Sequence, residues 1–233
     1  AAGIQPPGAP KIQAPDVAKD ERELSSVLVQ NKALLQRFEM KEEINRETEA
    51  RLAVEGCGTL MDRKSDGAVL FDIGGGSSEL ILVDSSRNEH GKRRPIQESI
   101  VAWTSLPMGV VTLAERFGGK DVTRNLFEDM VQDVMQHIQD FDGREALRAA
   151  FKNGRVHLLG TSGTVTTLAG IHLDLPRYDR RRVDGIWLKD TEIDTVINRL
   201  IGMSYAERAR NPCIGEERAD LVLAGCAILN AIR

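Results

Sequence analysis

Short apolar runs separated by a glycine-rich turn and a polar loop predict three consecutive β-strands in the middle of the chain. Apolar residues fill 68–71 and 80–83, and the segment Asp-Ile-Gly-Gly-Gly-Ser-Ser-Glu at 72–79 separates the two runs. A third run follows at 99–103, after a polar stretch at 84–94. Strands joined in this way are typical of an antiparallel meander.

The period of the apolar positions changes after Pro107, and helices then alternate with strands. Apolar residues spaced three or four apart predict helices over about 110–117, 126–141 and 164–171. We expect a fourth strand at 155–159, a fifth at 183–188, and then helices that break near Gly202 and Pro212 and end in an apolar helix at 216–232. A meander followed by strand–helix alternation predicts an α/β fold with a mixed sheet.

The first part of the chain differs from the rest in composition. Residues 1–16 contain four of the eight prolines, which predicts an extended arm. Residues 17–56 contain no proline and are rich in Glu, Lys, Arg, Leu and Ala, so we expect a helical segment there, with Gly56 and Gly58 as stops. We therefore expect three regions: the arm 1–16, the helical segment 17–56 and a single domain at 57–233.

The amino-acid composition argues against several classes of protein. The chain of 233 residues is 41% hydrophobic and 28% charged with a net charge of −4, which is ordinary for a globular protein. Near-neutral charge and only ten aromatic residues argue against a nucleic-acid partner. The three cysteines have no zinc or disulfide spacing. The longest apolar run, 221–229, is far shorter than the roughly 20 residues of a membrane span, so we expect no membrane partner and a cytoplasmic location.

The glycine segment at 72–79 is the strongest candidate for chemistry. Three glycines allow the backbone to approach a ligand closely and to offer N–H groups to phosphate oxygens. Asp72 at the strand end is suited to hold hydrated Mg²⁺ near such a phosphate, with Glu79 as a second carboxylate and Ser77 as a hydroxyl contact. The competing interpretation is a glycine hairpin in which Asp72 caps its own turn.

Weaker candidates lie elsewhere in the chain. Gly160, Thr161, Ser162 and Gly163 stand at a strand-to-helix junction, where small residues form either an anion site or a plain helix cap. The arginine-rich loop at 177–182 is either a solvated loop or a clamp for a phosphate chain. The four histidines have no ligand spacing, and His157 is expected to pack in a strand.

Three stretches of the sequence resemble the exopolyphosphatase/guanosine pentaphosphate phosphohydrolase family. They are Glu-Ala-Arg-Leu at 49–52, the glycine segment with its flanking strands at 70–80, and the later segments 155–169 and 217–229. The resemblance covers about 44–233. It implies an actin-like, ribonuclease H-like domain and Mg²⁺-dependent hydrolysis of terminal phosphate from polyphosphate or guanosine pentaphosphate.

The resemblance also implies roles for individual residues. Glu49, which alone reads as a solvated charge, takes the place of the family's catalytic glutamate and would orient or deprotonate the attacking water. Asp72 and Glu79 would hold Mg²⁺. The phosphate would be cradled by Gly74, Gly75, Gly76 and Ser77, and by the second loop at 160–163.

One part of the family pattern is missing before Glu49, namely the first domain with its opposing phosphate loop. We therefore expect the chain to resemble the second domain, to hydrolyse polyphosphate weakly or not at all alone, and to self-associate as a homodimer. Three hypotheses stay open: a hydrolase or its catalytic half, a non-catalytic regulator that senses a phosphorylated ligand, and an ATP-using kinase relative. Phosphate release with Mg²⁺ separates the first two, and phosphate transfer from ATP tests the third.

Overall fold

The computed structural model describes residues 48, 50–62, 64–84, 96–139, 143–153 and 156–233. In these residues a four-stranded mixed sheet consists of β1 (Gly67–Ile73), β2 (Ser78–Asp84), β3 (Ile100–Leu106) and β4 (Val156–Gly160), in the spatial order β3-β2-β1-β4. β1, β2 and β3 pair antiparallel as the predicted meander. β4 returns parallel to β1, which places their carboxyl ends at the same edge of the sheet.

Helices cover both faces of this sheet. The helix α1 occupies 50–57. Those that follow are α2 (Val110–Phe117), α3 (Arg124–Gln139), α4 (Arg144–Asn153), α5 (Gly163–His172), α6 (Arg180–Val183), α7 (Asp190–Ile201), α8 (Tyr205–Arg210) and α9 (Val222–Ile232). Short 3₁₀ turns stand at Gly58–Leu60, Ile96–Ser99 and Glu216–Arg218. The predicted α/β architecture with a mixed sheet is confirmed.

Alternation along the strands divides the core into two clusters. Phe71, Ile73 and Leu80 belong to the larger cluster, which includes buried side chains of α2, α3, α5 and α9. Leu70 and Ile81 point to the opposite face and pack with Ala50 and Val54 of α1. Of the described helices, α9 is the most buried, because it is apolar on every side and residues 222–229 are all buried.

The fifth strand predicted at 183–188 is wrong. Val183 instead ends the single turn of α6, which begins where the Asp179 carboxylate accepts a hydrogen bond from the Arg181 N–H. Gly185 follows with a φ of 71°, a left-handed conformation that interrupts any extended run. The apolar residues Val183, Ile186 and Leu188 still contact the larger cluster, so their hydrophobicity reflects burial of a loop.

His157 lies in β4 as expected, but it is only partly buried. Its Nδ1 lies 3.0 Å from the Ser65 hydroxyl, and its ring contacts the exposed Trp187 with centroids 5.1 Å apart. Burial lowers the pKa of the imidazole, although Asp62 opposes the shift. His157 therefore packs in the folded protein chiefly as a neutral side chain.

Arg208 of α8 joins three separate segments through backbone carbonyls. The side chain is 1% exposed, and its Nε donates to the Ala219 carbonyl at 3.0 Å. Nη1 donates to Met203, while Nη2 donates to Gly119 and to Lys120, at 2.9, 3.1 and 2.6 Å. No carboxylate of the described residues lies within ion-pair distance of this guanidinium. Burial lowers the pKa of Arg208, while the charges of Asp121 and Asp220 oppose this shift, and the carbonyl dipoles add to the stabilisation of its charge.

We expect Arg208→Met to lower the free energy of unfolding by about 3 kcal/mol, because methionine leaves several buried carbonyls without donors. Urea denaturation followed by far-UV circular dichroism measures this change. Arg210→Met is the matched control, since Arg210 is exposed in the same helix. Equal denaturation midpoints for the two variants would contradict the role of these hydrogen bonds.

Candidate functional site

The turn between β1 and β2 places two carboxylates side by side. Asp72 and Glu79 are direct cross-strand partners, and the Gly74 N–H closes the turn by donating to the Ser77 carbonyl at 2.9 Å. Since side chains alternate along a strand, both acids project from the sheet face that also carries Leu70 and Ile81. The turn therefore presents an acidic pair beside a glycine loop.

The backbone of this loop is oriented by the first turn of α2. The Gly74 carbonyl accepts from Val110 N–H, and the Gly75 carbonyl accepts from Val111 N–H, both at 2.9 Å. In a trans peptide the N–H of the next residue points opposite to the carbonyl. The N–H groups of Gly75 and Gly76 thus point away from α2, and neither donates to any residue that the structure describes.

Close packing makes this arrangement possible. A Cβ atom on Gly109 would overlap the carbonyl group of Gly75, so only glycine allows the start of α2 to approach the loop. Gly76 is the opposite case, because a Cβ there would meet nothing within 4 Å. Of the three loop glycines, Gly76 therefore has the most open Cβ position.

The two acids have different environments. Burial raises the pKa of Asp72, and the nearby charge of Glu79 raises it further, while a hydrogen bond from the Thr161 side chain opposes both. Glu79 is 4% exposed, and its Oε1 accepts from the Ser77 and Ser105 hydroxyls at 2.8 and 2.9 Å. Glu79 is thus held in place, whereas Asp72 carries a charge that the ligand-free fold disfavours.

Parallel pairing of β1 with β4 brings the second predicted loop to the same edge. Phe71 pairs with Gly160, and the Thr161 N–H extends the ladder by donating to the Phe71 carbonyl at 3.0 Å. Thr161 consequently lies beside Asp72. Ser162 follows as the N-cap of α5, is 5% exposed, and leaves its hydroxyl oxygen without a partner among the described residues. A buried, unpaired hydroxyl at a helix start is a group that an anion would satisfy.

Gly160 has a packing role in this loop. A Cβ atom there would lie 2.5 Å from the ring of Phe71 and 2.7 Å from a methyl group of Val165. Glycine is therefore needed to let the ring fill the space between β4 and α5. Its assignment as a ligand contact stays a prediction, as do the assignments of the other loop residues.

Arg218 was missed by the sequence analysis. Its Nη1 lies 3.7 Å from the position that a Cβ on Gly163 would occupy, at the start of α5. The side chain is exposed and forms no ion pair with any described residue. It lies in the segment 217–229, which the sequence analysis used only as part of the family resemblance and of the last predicted helix. No local pattern in the sequence marks this arginine as a neighbour of the start of α5, because the two segments meet only in the fold.

Glu49, the predicted catalytic residue, lies outside the described residues. Its neighbour Ala50 is buried with Val54 against the sheet face from which Asp72 and Glu79 project. Cys57, at the end of α1, is also close to this site. Burial raises the pKa of its thiol, and the charges of Asp72 and Asp184 raise it further. The described part of α1 therefore approaches the carboxylate pair.

The oxygen donors of this site are of the kind that a divalent metal prefers. Asp72 and Glu79 are adjacent hard oxygen donors, and the disfavoured charge on Asp72 is one that a cation would stabilise. The described residues contain no group of three or more histidine, cysteine, aspartate or glutamate side chains arranged around one point. A metal here would depend on phosphate oxygens and water for its other ligands, as Mg²⁺ usually does.

Comparison with known proteins identifies the class. The model of the Ppx/GppA phosphatase family matches residues 40–233, and the chain belongs to this family. Exopolyphosphatase 2 of Mycobacterium tuberculosis is 27% identical over 188 residues, which cover 79% of this chain and 52% of that protein. A bifunctional 3-dehydroquinate synthase/phosphatase of Fusobacterium nucleatum is 25% identical over 197 residues, covering 81% of this chain and 26% of that protein.

Solved structures of related proteins have the same fold as this chain. The crystal structure of an exopolyphosphatase-like protein superposes with a TM-score of 0.66 at 28% identity, covering 79% of this chain and 55% of the other. The Ppx/GppA phosphatase of Aquifex aeolicus superposes with a TM-score of 0.57 at 23% identity, covering 78% and 54%. The fold is thus the actin-like fold of this family. The chain spans about half the length of these structures and of the mycobacterial relative.

Among the described residues, no helix combines the length and the apolar character needed to cross a bilayer.

We expect Gly76→Ala to leave folding unchanged and to weaken phosphate binding, because the new methyl group enters open space beside the free N–H groups. Gly109→Ala is the matched comparison and should unfold at lower temperature, since its methyl group overlaps the Gly75 carbonyl. Thermal melts with and without triphosphate and Mg²⁺ measure both effects. The open-loop assignment is wrong if ligand stabilises Gly76→Ala as much as the wild type.

We expect Asp72→Asn to raise the melting temperature of the ligand-free protein at neutral pH. The pKa of Asp72 is higher in the folded protein than in the unfolded chain. This difference favours the folded state at pH values below the unfolded-state pKa, and the contribution to stability is lost as the pH rises through the folded-state pKa. The wild type should therefore lose stability relative to the variant between the acid range and neutral pH. With Mg²⁺ and triphosphate the order should reverse, because only the wild type retains the carboxylate. A variant that melts lower than the wild type at neutral pH without ligand would contradict this electrostatic account.

Proposed function

We propose that this chain forms the phosphate-binding half of a phosphoanhydride hydrolase that removes terminal phosphate from inorganic polyphosphate or guanosine pentaphosphate. The observation that carries the proposal is that two loops with unpaired donor groups meet beside one carboxylate pair. Parallel pairing of β1 and β4 supports this, since it sets Asp72 beside Thr161. The names of the exopolyphosphatase relatives support the substrate class.

The terminal phosphate would be bound by groups that have no other partner. The N–H groups of Gly75 and Gly76 donate from one side, and the start of α5 with the Ser162 hydroxyl donates from the other. Arg218 extends this second side, because its guanidinium lies near Gly163. Donors fixed by the fold before binding stabilise charge on the transferring group without a cost of reorganisation.

Mg²⁺ would be held by Asp72, with Glu79 acting directly or through water. Two hydroxyl groups already bond Oε1 of Glu79, so Asp72 is the acid whose charge most needs a cation. The metal would supply positive charge that neutralises the phosphate oxygens.

Glu49 would act as the general base or would orient the attacking water. The support is its place in the Glu-Ala-Arg-Leu segment and the burial of Ala50 and Val54 on the sheet face that carries Asp72. A carboxylate that accepts the proton of water lets the oxygen attack the terminal phosphorus while the shortened chain leaves. Such proton transfer typically contributes about 10²–10⁴-fold to the rate.

A second candidate is a non-catalytic sensor of a phosphorylated ligand. The described residues provide one wall of a phosphate clamp, and binding needs fewer groups than turnover. Calorimetry and Mg²⁺-dependent phosphate release, measured on the same 233-residue chain, separate the two functions. We expect binding of triphosphate with turnover well below about 1 s⁻¹, the lower end for working enzymes. Absence of Mg²⁺-dependent binding would exclude both functions.

We expect Glu49→Gln to keep substrate affinity and to lower kcat about 10²–10⁴-fold in a longer form that supplies a facing phosphate loop. Glu55→Gln is the matched control, because Glu55 is an exposed residue of α1. Steady-state phosphate release gives kcat, and calorimetry gives the affinity. If both variants show the wild-type kcat, Glu49 is a solvated surface residue.

A further inference from the structure

The buried acid of the carboxylate pair, Glu79, receives two hydrogen bonds on a single oxygen. Its side chain is 4% exposed, and its Oε1 accepts from the Ser77 hydroxyl at 2.8 Å and from the Ser105 hydroxyl at 2.9 Å. No donor of the described residues bonds Oε2. A carboxylate removed from water needs such donors, because burial without them leaves its charge uncompensated. The orientation of Glu79 therefore depends on these two serines.

The two serines occupy different kinds of backbone. Ser105 lies in β3 and is the direct cross-strand partner of Glu79, so the hydrogen bonds of the sheet fix its position. Ser77 lies in the turn before β2, where its carbonyl accepts the Gly74 N–H that closes the turn. Ser105 is thus part of the sheet, whereas Ser77 belongs to the loop that would receive a phosphate.

The strand register places Ser105 on the same face of the sheet as the two acids. Glu79 pairs with Asp72 on one side and with Ser105 on the other, so the three side chains form one row across β1, β2 and β3. Trp103, two residues earlier in β3, packs on the apolar cluster of that face, as the alternation requires. The hydroxyl of Ser105 therefore reaches Glu79 from the side opposite to Asp72.

The second hydroxyl on Oε1 makes the bond from Ser77 replaceable. A serine hydroxyl has one hydrogen to donate, so Ser77 cannot donate to Glu79 and to a phosphate oxygen together. When the Ser77 hydroxyl turns to a phosphate, the bond from Ser105 remains on Oε1. The buried carboxylate then still has a donor, and the loop can give its hydroxyl to the ligand.

We propose that Ser105 is a positioning residue, which holds Oε1 of Glu79 while the Ser77 hydroxyl turns to the phosphate and Oε2 stays available to the cation. The inference rests on the proposed function, which it deepens by assigning a residue of β3 to the site. Without the Ser105 hydroxyl, Ser77 would be the last described donor to Glu79 and would be held back from the phosphate. Ser105 itself would touch neither the metal nor the substrate.

The test measures binding of triphosphate in Mg²⁺ by calorimetry on the full 233-residue chain. Ser105→Ala should lower the affinity about 10- to 100-fold, the range typical of groups that orient a metal-binding side chain. Ser105→Thr should restore the wild-type affinity, because threonine keeps the hydroxyl and suits a strand. Thr104→Val is the matched control and should bind like the wild type, since Thr104 is the neighbouring residue of β3 and projects from the opposite face.

Thermal melts of the ligand-free protein give a second readout that does not depend on the proposed function. Ser77→Ala and Ser105→Ala should each change the melting temperature little, because one donor to Glu79 remains. The double variant should lose more than the sum of the two single losses, since the buried carboxylate then has neither donor. Additive losses would overturn the inference, because they would show that the two hydroxyls do not replace each other.

The binding results separate failure of the inference from failure of the proposed function. Wild-type affinity in Ser105→Ala, or a loss that Ser105→Thr does not restore, would overturn the inference and leave the proposed function standing. An equal loss in Thr104→Val would also overturn the inference, by showing a general effect of changes in β3. Absence of Mg²⁺-dependent triphosphate binding in the wild type would overturn the inference and the proposed function together.

Discussion

The parallel pairing of β1 with β4 is the constraint on which the rest of the site depends. Among the strands that the structure describes, it is the only pairing between segments far apart in sequence, and it sets Phe71 against Gly160 so that both strands end at the same edge. Without it, the carboxylate pair and the Ser162 hydroxyl would belong to unrelated surfaces. Gly160 makes the pairing compatible with a large core ring, because any side chain there would occupy the space of Phe71.

The glycine loop shows how a binding site is ordered without its ligand. α2 needs acceptors for its first N–H groups, and the loop provides the carbonyls of Gly74 and Gly75. The same peptide planes then turn two donors outward. One set of hydrogen bonds therefore caps a helix and orients the free N–H groups of the loop, while burial and the charge of Glu79 disfavour the charged form of Asp72.

The fold could be predicted from the sequence because the patterns of apolar residues that define its strands and helices are local. The meander followed from apolar runs around Gly74–Gly76, and α2, α3 and α5 followed from their apolar spacing. The prediction of a fifth strand at 183–188 was wrong, because the apolar residues there belong to a loop packed on the core and Gly185 has a positive φ. Arg208 and Arg218 were not predicted, because an arginine that binds carbonyls or approaches a helix start has no mark in a single sequence.

The hydrogen bonds of the Arg208 guanidinium can form only late in the synthesis of the domain. Chains emerge from the ribosome amino end first, so the carbonyls of Gly119 and Lys120 are made long before the side chain that satisfies them. The same delay applies to α9, whose buried residues follow all four described strands in the sequence. The apolar face of the nascent meander therefore stays incompletely covered until residues 222–229 have been translated.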